Sequence, residues 1–211
     1  MLYKNEDIIL PKTLRLLNDL QNESILDNFT LAGGTALALQ IGHRHSIDLD
    51  FFTQEDFDTE ALLNHLSSKF DFITDNVAKN TLSGVINGVK IDLLKHGYPW
   101  IYPVLEDDNL RLASIEDIAA MKINAIVHSG KRQKDFYDIY FLLEFFNLSK
   151  ILDFYESKYK NAHKIIGIKA LTWFKEIDFL YDPPSLIEDL SFEKVKARIR
   201  EATEFPERKF S

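Results

Sequence analysis

Residues 29 to 42, FTLAGGTALALQIG, leave the chain few ways to fold. A short extended run meets two glycines, and Thr35 then opens an Ala- and Leu-rich segment of helical character that stops at Gly42. A strand, a tight turn and an apolar helix in so few residues point to a layered α/β arrangement, because the helix has to bury its face on a sheet.

The next stretch, GHRHSIDLDFF at 42 to 52, puts Asp48 and Asp50 one residue apart among Ile, Leu and Phe. In a strand, residues i and i+2 share a face, so the two acids project together while Ile47, Leu49 and Phe51 line the other side. Two carboxylates on one half-buried face repel each other unless a cation sits between them. Mg²⁺, a hard ion that prefers carboxylate and phosphate oxygens, suits such a pair. Spacing alone leaves two readings open, a solvated strand face and a metal site.

Two further features favour the metal. Asp92 lies in KIDLLKH amid Ile91, Leu93 and Leu94, on a strand able to pair beside the first and bring a third carboxylate to the same spot. The Gly33-Gly34-Thr35 turn exposes backbone N–H groups at a helix N-terminus, which attract phosphate, although it also serves as a plain tight turn. A phosphate cradle, a carboxylate pair and a distant third acid form the pattern expected for metal-assisted transfer from a nucleoside triphosphate (NTP). Cations bridge the attacking and leaving oxygens, and one carboxylate takes the acceptor's proton.

The rest of the chain divides in character near residue 112. Before it, LPKTLRLLNDLQNESILDNF has helical spacing with Pro11 in the first turn, and DTEALLNHLSSKF follows a cap at Asp58. FDFITDNV, TLSGVING and VKIDLLKH are short strands, the last two joined by an Asn87-Gly88 hairpin. After it, SIEDIAAMKINAIVHSG, with Ser114 as cap and Asp117 in the first turn, KDFYDIYFLLEFF, SKILDFYESKYK, HKIIGIKALTWF and SFEKVKARIREATEF all read as helix, interrupted by the loop YDPPSL. The expected architecture is α/β (α+β): a mixed-sheet core over 1–112 flanked by helices, followed by a helical lobe over 113–211 packed on the core.

Composition excludes several classes. A formal charge of −8 argues against a protein that coats nucleic acid through general attraction, although GKRQK and KVKARIR are locally basic. KVKARIR reads first as a solvated helix face. Cysteine is absent, so thiolate metal sites, disulfides and cysteine nucleophiles are out, which fits a reducing compartment. No apolar run is long enough to span a membrane, and MLYKNEDIILPK is too charged for a signal peptide, so a cytoplasmic protein with no membrane partner is expected.

GGTALALQIGHRHSIDLDFF resembles the nucleotide-binding block of the DNA polymerase beta-like nucleotidyltransferase superfamily, in which Asp-x-Asp follows a Gly-Gly or Gly-Ser turn. Together with KRQKDFYDIYFLL it is similar to the AbiEii-type abortive-infection toxins, nucleotidyltransferase-like proteins of bacterial toxin–antitoxin systems. The resemblance spans roughly residues 30 to 145. It implies a nucleotidyltransferase-fold core and binding of Mg²⁺ (or Mn²⁺) and NTP by Gly33, Gly34, Thr35, Asp48 and Asp50, with Asp92 as the matching third acid. It also implies functional roles for Lys122 and for the Lys-Asp-x-x-Asp block of Lys134, Asp135 and Asp138. Thr35 stands where many members have serine, and both carry a hydroxyl.

The residues suggest roles within that frame. Lys122 on its helix could neutralise triphosphate oxygens, with Arg132 or Lys134 completing the charge, and Arg44 and Ser46 precede the acidic strand, where the arginine reaches phosphate or Asp50. Each has a plainer alternative: Lys122 at the surface, Asp135 and Asp138 as solvated partners of Lys131 and Lys134. His43 and His45 are expected at the surface, and Phe136, Tyr137, Tyr140, Phe141, Phe145 and Phe146 in a helix core. The expected activity is nucleotide transfer from NTP to RNA such as tRNA, or to a protein hydroxyl, by a toxin with a cognate antitoxin. An antibiotic-modifying nucleotidyltransferase and a non-catalytic nucleotide-binding module are the alternatives. A phosphatase using Asp-x-Asp fits less well, because the Gly-Gly unit comes first.

Overall fold

The Ala- and Leu-rich segment is helical where the sequence places it, and its five central residues, Thr35 to Leu39, are all buried. A helix apolar on every side has to be covered on every side, and this one packs on strands of a central sheet. These features come from a computed structural model that describes residues 1–211.

The chain divides into two units, one of Met1–Pro99 with Pro103–Ser114 and one of Trp100–Tyr102 with Ile115–Ser211. In the first unit the elements run α1 (Pro11–Gln21), β1 (Thr30–Ala32), α2 (Gly33–Ile41), β2 (Arg44–His45), β3 (Leu49–Thr53), α3 (Thr59–Phe70), β4 (Ile73–Ala78), β5 (Thr81–Ile86), β6 (Val89–Lys95), β7 (Leu105–Asp107) and β8 (Leu110–Leu112). Seven of the strands form one mixed sheet in the order β4-β5-β6-β3-β1-β8-β7. β3 pairs parallel with β6 and antiparallel with β1, so it is a central strand. Leu49, Phe51, Ile91 and Leu93 are all fully buried on one face, each contributing roughly 1.5–3 kcal/mol of transfer free energy.

Local chemistry explains the connections. Asp58 caps α3 by accepting the N–H groups of Glu60 and Ala61, each at 3.0 Å. Asn87 and Gly88 take positive φ of 50° and 78°, the two-residue hairpin turn that matches sheet twist. β4 is exposed at every residue and carries a register shift between Thr74 and Asn76, as befits an irregular edge strand. The β7–β8 hairpin was not foreseen: EDDN, an acidic run in the sequence, supplies its turn, with Asp108 and Asn109 at φ 50° and 69°.

The second unit holds α4 (Ile115–His128), α5 (Gln133–Phe145), α6 (Leu148–Lys158), α7 (Lys164–Thr172) and α8 (Phe192–Glu204). Residues Trp100–Tyr102, between β6 and β7 in the chain, belong to it. Asp117, fully buried in the first turn of α4, accepts the N–H groups of Ile101 and Tyr102 and pairs with Lys158 at 2.7 Å. The Lys158 ammonium stands 4.4 Å from the centre of the Trp100 ring. Burial pushes the Lys158 ammonium down from its ordinary pKa against the opposing pull of Asp117. The aromatic helix core is only partly as expected: Phe136 and Tyr137 are buried, but Phe145 is 53% exposed because it falls on the outer side of the last turn of α5. In the expected solvated face of KVKARIR, Val195 and Ile199 are buried, while Arg198 lies on the Tyr140 ring at 3.7 Å and bonds Glu144 at 2.6 Å. No helix is long and apolar enough to cross a membrane.

Candidate active site

Register places the first carboxylates. In the parallel pairing of β3 with β6, Asp50 stands directly beside Asp92, so both project from the same face of adjacent strands. Across the antiparallel pairing, Asp50 faces Ala32, the last residue of β1 before the glycine turn. The acids therefore sit where the chain passes from β1 into α2, as the sequence pattern anticipates.

The turn is shaped around Asp50. Gly33 has φ +66°, and a Cβ built on it would lie 2.3 Å from Oδ2 of Asp50, so the carboxylate fills the space that any larger residue would need. A Cβ on Gly34 would likewise meet Nη2 of Arg44 at 2.1 Å. The glycine pair thus brings a carboxylate and a guanidinium close against the N-terminus of α2. Arg44 is only 2% exposed and donates from Nη1 to the His45 carbonyl at 3.1 Å, which fixes its direction.

Thr35 and Ser46 are tied to each other and to the backbone ahead of β3. Thr35 is 1% exposed, and its hydroxyl bonds the Ser46 hydroxyl at 2.8 Å and donates to the Asp48 carbonyl. Those bonds pin the backbone just before β3 and so set where Asp48 stands. Two expectations for this stretch need correction. Asp48 precedes β3 rather than lying in it, and Ile47, expected on the apolar side, is 45% exposed, because strand alternation has not yet begun at these residues. His43, expected at the surface, is buried at 6% exposure, and His45 is half-buried.

The sequence reading missed Lys90. It lies two residues before Asp92 on β6, so the same alternation argument places it on the acidic face. Its ammonium is 3.0 Å from Oδ2 of Asp92. The bond to Asp92 holds the Lys90 pKa above its ordinary value despite partial burial, and the charges of Asp92, Asp50 and Asp48 add to that pull.

Whether a hard cation fits can be tested on the donor set. No group of three or more His, Asp or Glu side chains stands close enough together to hold a metal ion unaided. Mg²⁺ does not require one, since it is commonly held by one or two carboxylates together with substrate phosphate oxygens and water. Asp50 and Asp92 side by side, with Asp48 two residues from Asp50, offer such carboxylate oxygens, and the N–H groups that begin α2 suit the phosphate that would supply the others.

In the second unit, Lys122 of α4 is only 7% exposed and bonds Asp135 and Asp138 of α5 at 2.7 Å each. Asp138 is fully buried. The alternatives of a surface lysine and solvated acids are thereby excluded, and the three charges form a closed brace between two helices. Arg132 and Lys134 at the start of α5 both bond Asp182, the arginine at 3.1 Å. Although burial pushes the Asp182 carboxyl up, these two cations hold it below the ordinary carboxylate range. Asp182 was not anticipated as their partner, because nothing local links it to residues some fifty positions earlier.

Comparison with known proteins is consistent over almost the whole chain. A family model described as nucleotidyl transferase AbiEii toxin, type IV TA system, matches residues 15–103 and 95–210. An uncharacterized protein of Aquifex aeolicus (strain VF5) is 33% identical over 158 residues, 72% of this chain and 76% of that protein. The crystal structure of JHP933 from Helicobacter pylori superimposes with a TM-score of 0.58 at 20% identity, covering 93% of this chain and 89% of that one. A second H. pylori crystal structure gives a TM-score of 0.58 at 20% identity, covering 93% and 92%.

Proposed function

As this chain belongs to the AbiEii family of nucleotidyltransferase toxins, we propose that its first unit binds a metal–NTP complex on the face of Asp48, Asp50 and Asp92. The nucleotide passes to a hydroxyl on RNA such as tRNA, or on protein. The observation that carries the proposal is the in-register pairing of Asp50 with Asp92, with the Asp50 carboxylate set into the space that Gly33 leaves open.

The residues divide the work as follows. Backbone N–H groups at the start of α2 receive phosphate oxygens, and the Arg44 guanidinium against Gly34 adds positive charge there. Thr35 and Ser46 hold the backbone that presents Asp48. Mg²⁺ or Mn²⁺ held by Asp48, Asp50 and Asp92 would neutralise charge on the triphosphate. As the acceptor oxygen bonds the α-phosphorus, that atom's bond to the β-bridging oxygen breaks, and pyrophosphate leaves. Asp92, on the neighbouring strand, takes the acceptor's proton. Lys122 bonds both Asp135 and Asp138, which supports a positioning role for this triad in setting α5, whose first turn carries Lys134 next to Arg132.

The family description supports a toxin with a cognate antitoxin, and use of NTPs fits a site of action in the cytoplasm. Incubating the purified protein with Mg²⁺, each α-labelled NTP in turn and total cellular RNA and protein should mark a macromolecule, and EDTA should abolish the mark. Failure of all four NTPs to label either fraction would sink the proposal, and resistance to an antibiotic on expression would redirect it to a small-molecule acceptor.

Gly33→Ala offers a sharper check on the turn. The added Cβ must push the Asp50 carboxylate aside and sits at a φ that costs an L-residue roughly 1–2 kcal/mol. Displacing a reacting group by an ångström can cost about 10²-fold in rate, so label transfer should fall by that order while the melting temperature falls only a few degrees. Unchanged transfer by Gly33→Ala would show that Asp50 is not held at a reacting position.

A further inference from the structure

We infer that Lys90 is a built-in counter-cation of the carboxylate face, whose charge opposes the loading of a divalent metal beside Asp92. The inference rests on the metal–nucleotide reading of that face and concerns how its loading is controlled. Asp50 and its in-register neighbour Asp92 set like charges side by side, with the charge of Asp48 also felt at this face, and a cation offsets them. At Asp92 that cation is the Lys90 ammonium, 3.0 Å from Oδ2 and on the same face of β6.

An ammonium beside that oxygen repels a divalent cation brought to the same carboxylate. The lysine brings one charge where Mg²⁺ brings two, and its side chain is 54% exposed, so the ion pair is of the weak, solvent-screened kind that yields to a stronger competitor. The competition nevertheless lowers the affinity of the empty face for metal alone. Triphosphate oxygens would then complete the ion's shell and tip the balance, so that metal is retained together with nucleotide rather than before it. Lys90 thereby couples the two ligands through its contact with Asp92.

The test is a Mn²⁺ titration of the full chain without nucleotide, with free Mn²⁺ read by electron paramagnetic resonance. Lys90→Gln should bind Mn²⁺ roughly three- to tenfold more tightly than wild type, the range expected when a half-exposed opposing charge is removed. Lys90→Arg, which keeps the charge, should stay within about twofold of wild type. Asp50→Asn should lose most of the binding. Because the side chain is more than half exposed, Lys90→Gln should fold normally, which near-ultraviolet circular dichroism checks. Equal or weaker Mn²⁺ binding by Lys90→Gln overturns the inference, and loss of binding in Asp50→Asn then leaves the metal site standing. Wild-type-like binding by Asp50→Asn, or no binding by wild type with or without nucleotide, removes the metal reading and this inference together.

Discussion

Asp50→Asn should lower nucleotide transfer by about 10²–10³-fold while leaving the melting temperature close to that of wild type. Asparagine has nearly the same shape, so it fits the space above Gly33 that a Cβ on that glycine would have filled. It removes one of two like charges that stand in register on adjacent strands, which relieves repulsion, while the amide keeps an oxygen able to accept hydrogen bonds in the same place. The loss lies in the chemistry, since a neutral amide is a poor ligand for a hard divalent ion and cannot help to offset triphosphate charge. Asp48→Ala should behave in the same direction, and the pair of variants separates a carboxylate requirement from an effect of shape. Near-wild-type transfer by Asp50→Asn in a labelling assay would place the reaction elsewhere.

Lys122→Ala should have the largest effect on stability. The ammonium is 7% exposed and bonds both Asp135 and Asp138, so its removal leaves two buried carboxylates without their shared cation. Breaking a buried ion pair by removing one partner costs about 3–5 kcal/mol, which for a chain of this size lowers the melting temperature by roughly 6–20 °C. Replacing the whole group in one variant, Lys122→Met with Asp135→Leu and Asp138→Leu, should recover much of that loss, because apolar side chains of similar volume carry no desolvation penalty. Calorimetry on the two variants distinguishes a charge effect from a cavity. A stable triple variant that still fails to transfer nucleotide would show that the triad positions functional groups as well as bracing α4 against α5.

Much of the first unit is legible because its signals are local. The glycine turn, the apolar helix behind it, the Asp58 cap and the Asn87-Gly88 hairpin each depend on residues within a few positions of one another. Alternation on β3 and β6 correctly places Asp50 and Asp92 on one face, and it would have placed Lys90 there as well had it been applied to the residue two positions before Asp92. It fails at Ile47 and Asp48, because a two-residue period means nothing until the strand begins at Leu49. The burial of Lys122, Asp135 and Asp138 follows from which sides of α4 and α5 are covered, which helical spacing within either segment cannot reveal. The bonds from Arg132 and Lys134 to Asp182 likewise join positions remote in sequence.

The central claim is that the turn from β1 into α2 and the acids of β3 and β6 form one metal–nucleotide site. Crystals grown with Mn²⁺ and a non-hydrolysable NTP analogue test it directly, since anomalous scattering locates the ion without reference to the nucleotide. The predicted result is an anomalous peak within coordination distance of the Asp48 or Asp50 carboxylate, with phosphate oxygens on the amides that begin α2. An ion and a triphosphate bound away from Asp48, Asp50 and Gly33 would contradict it.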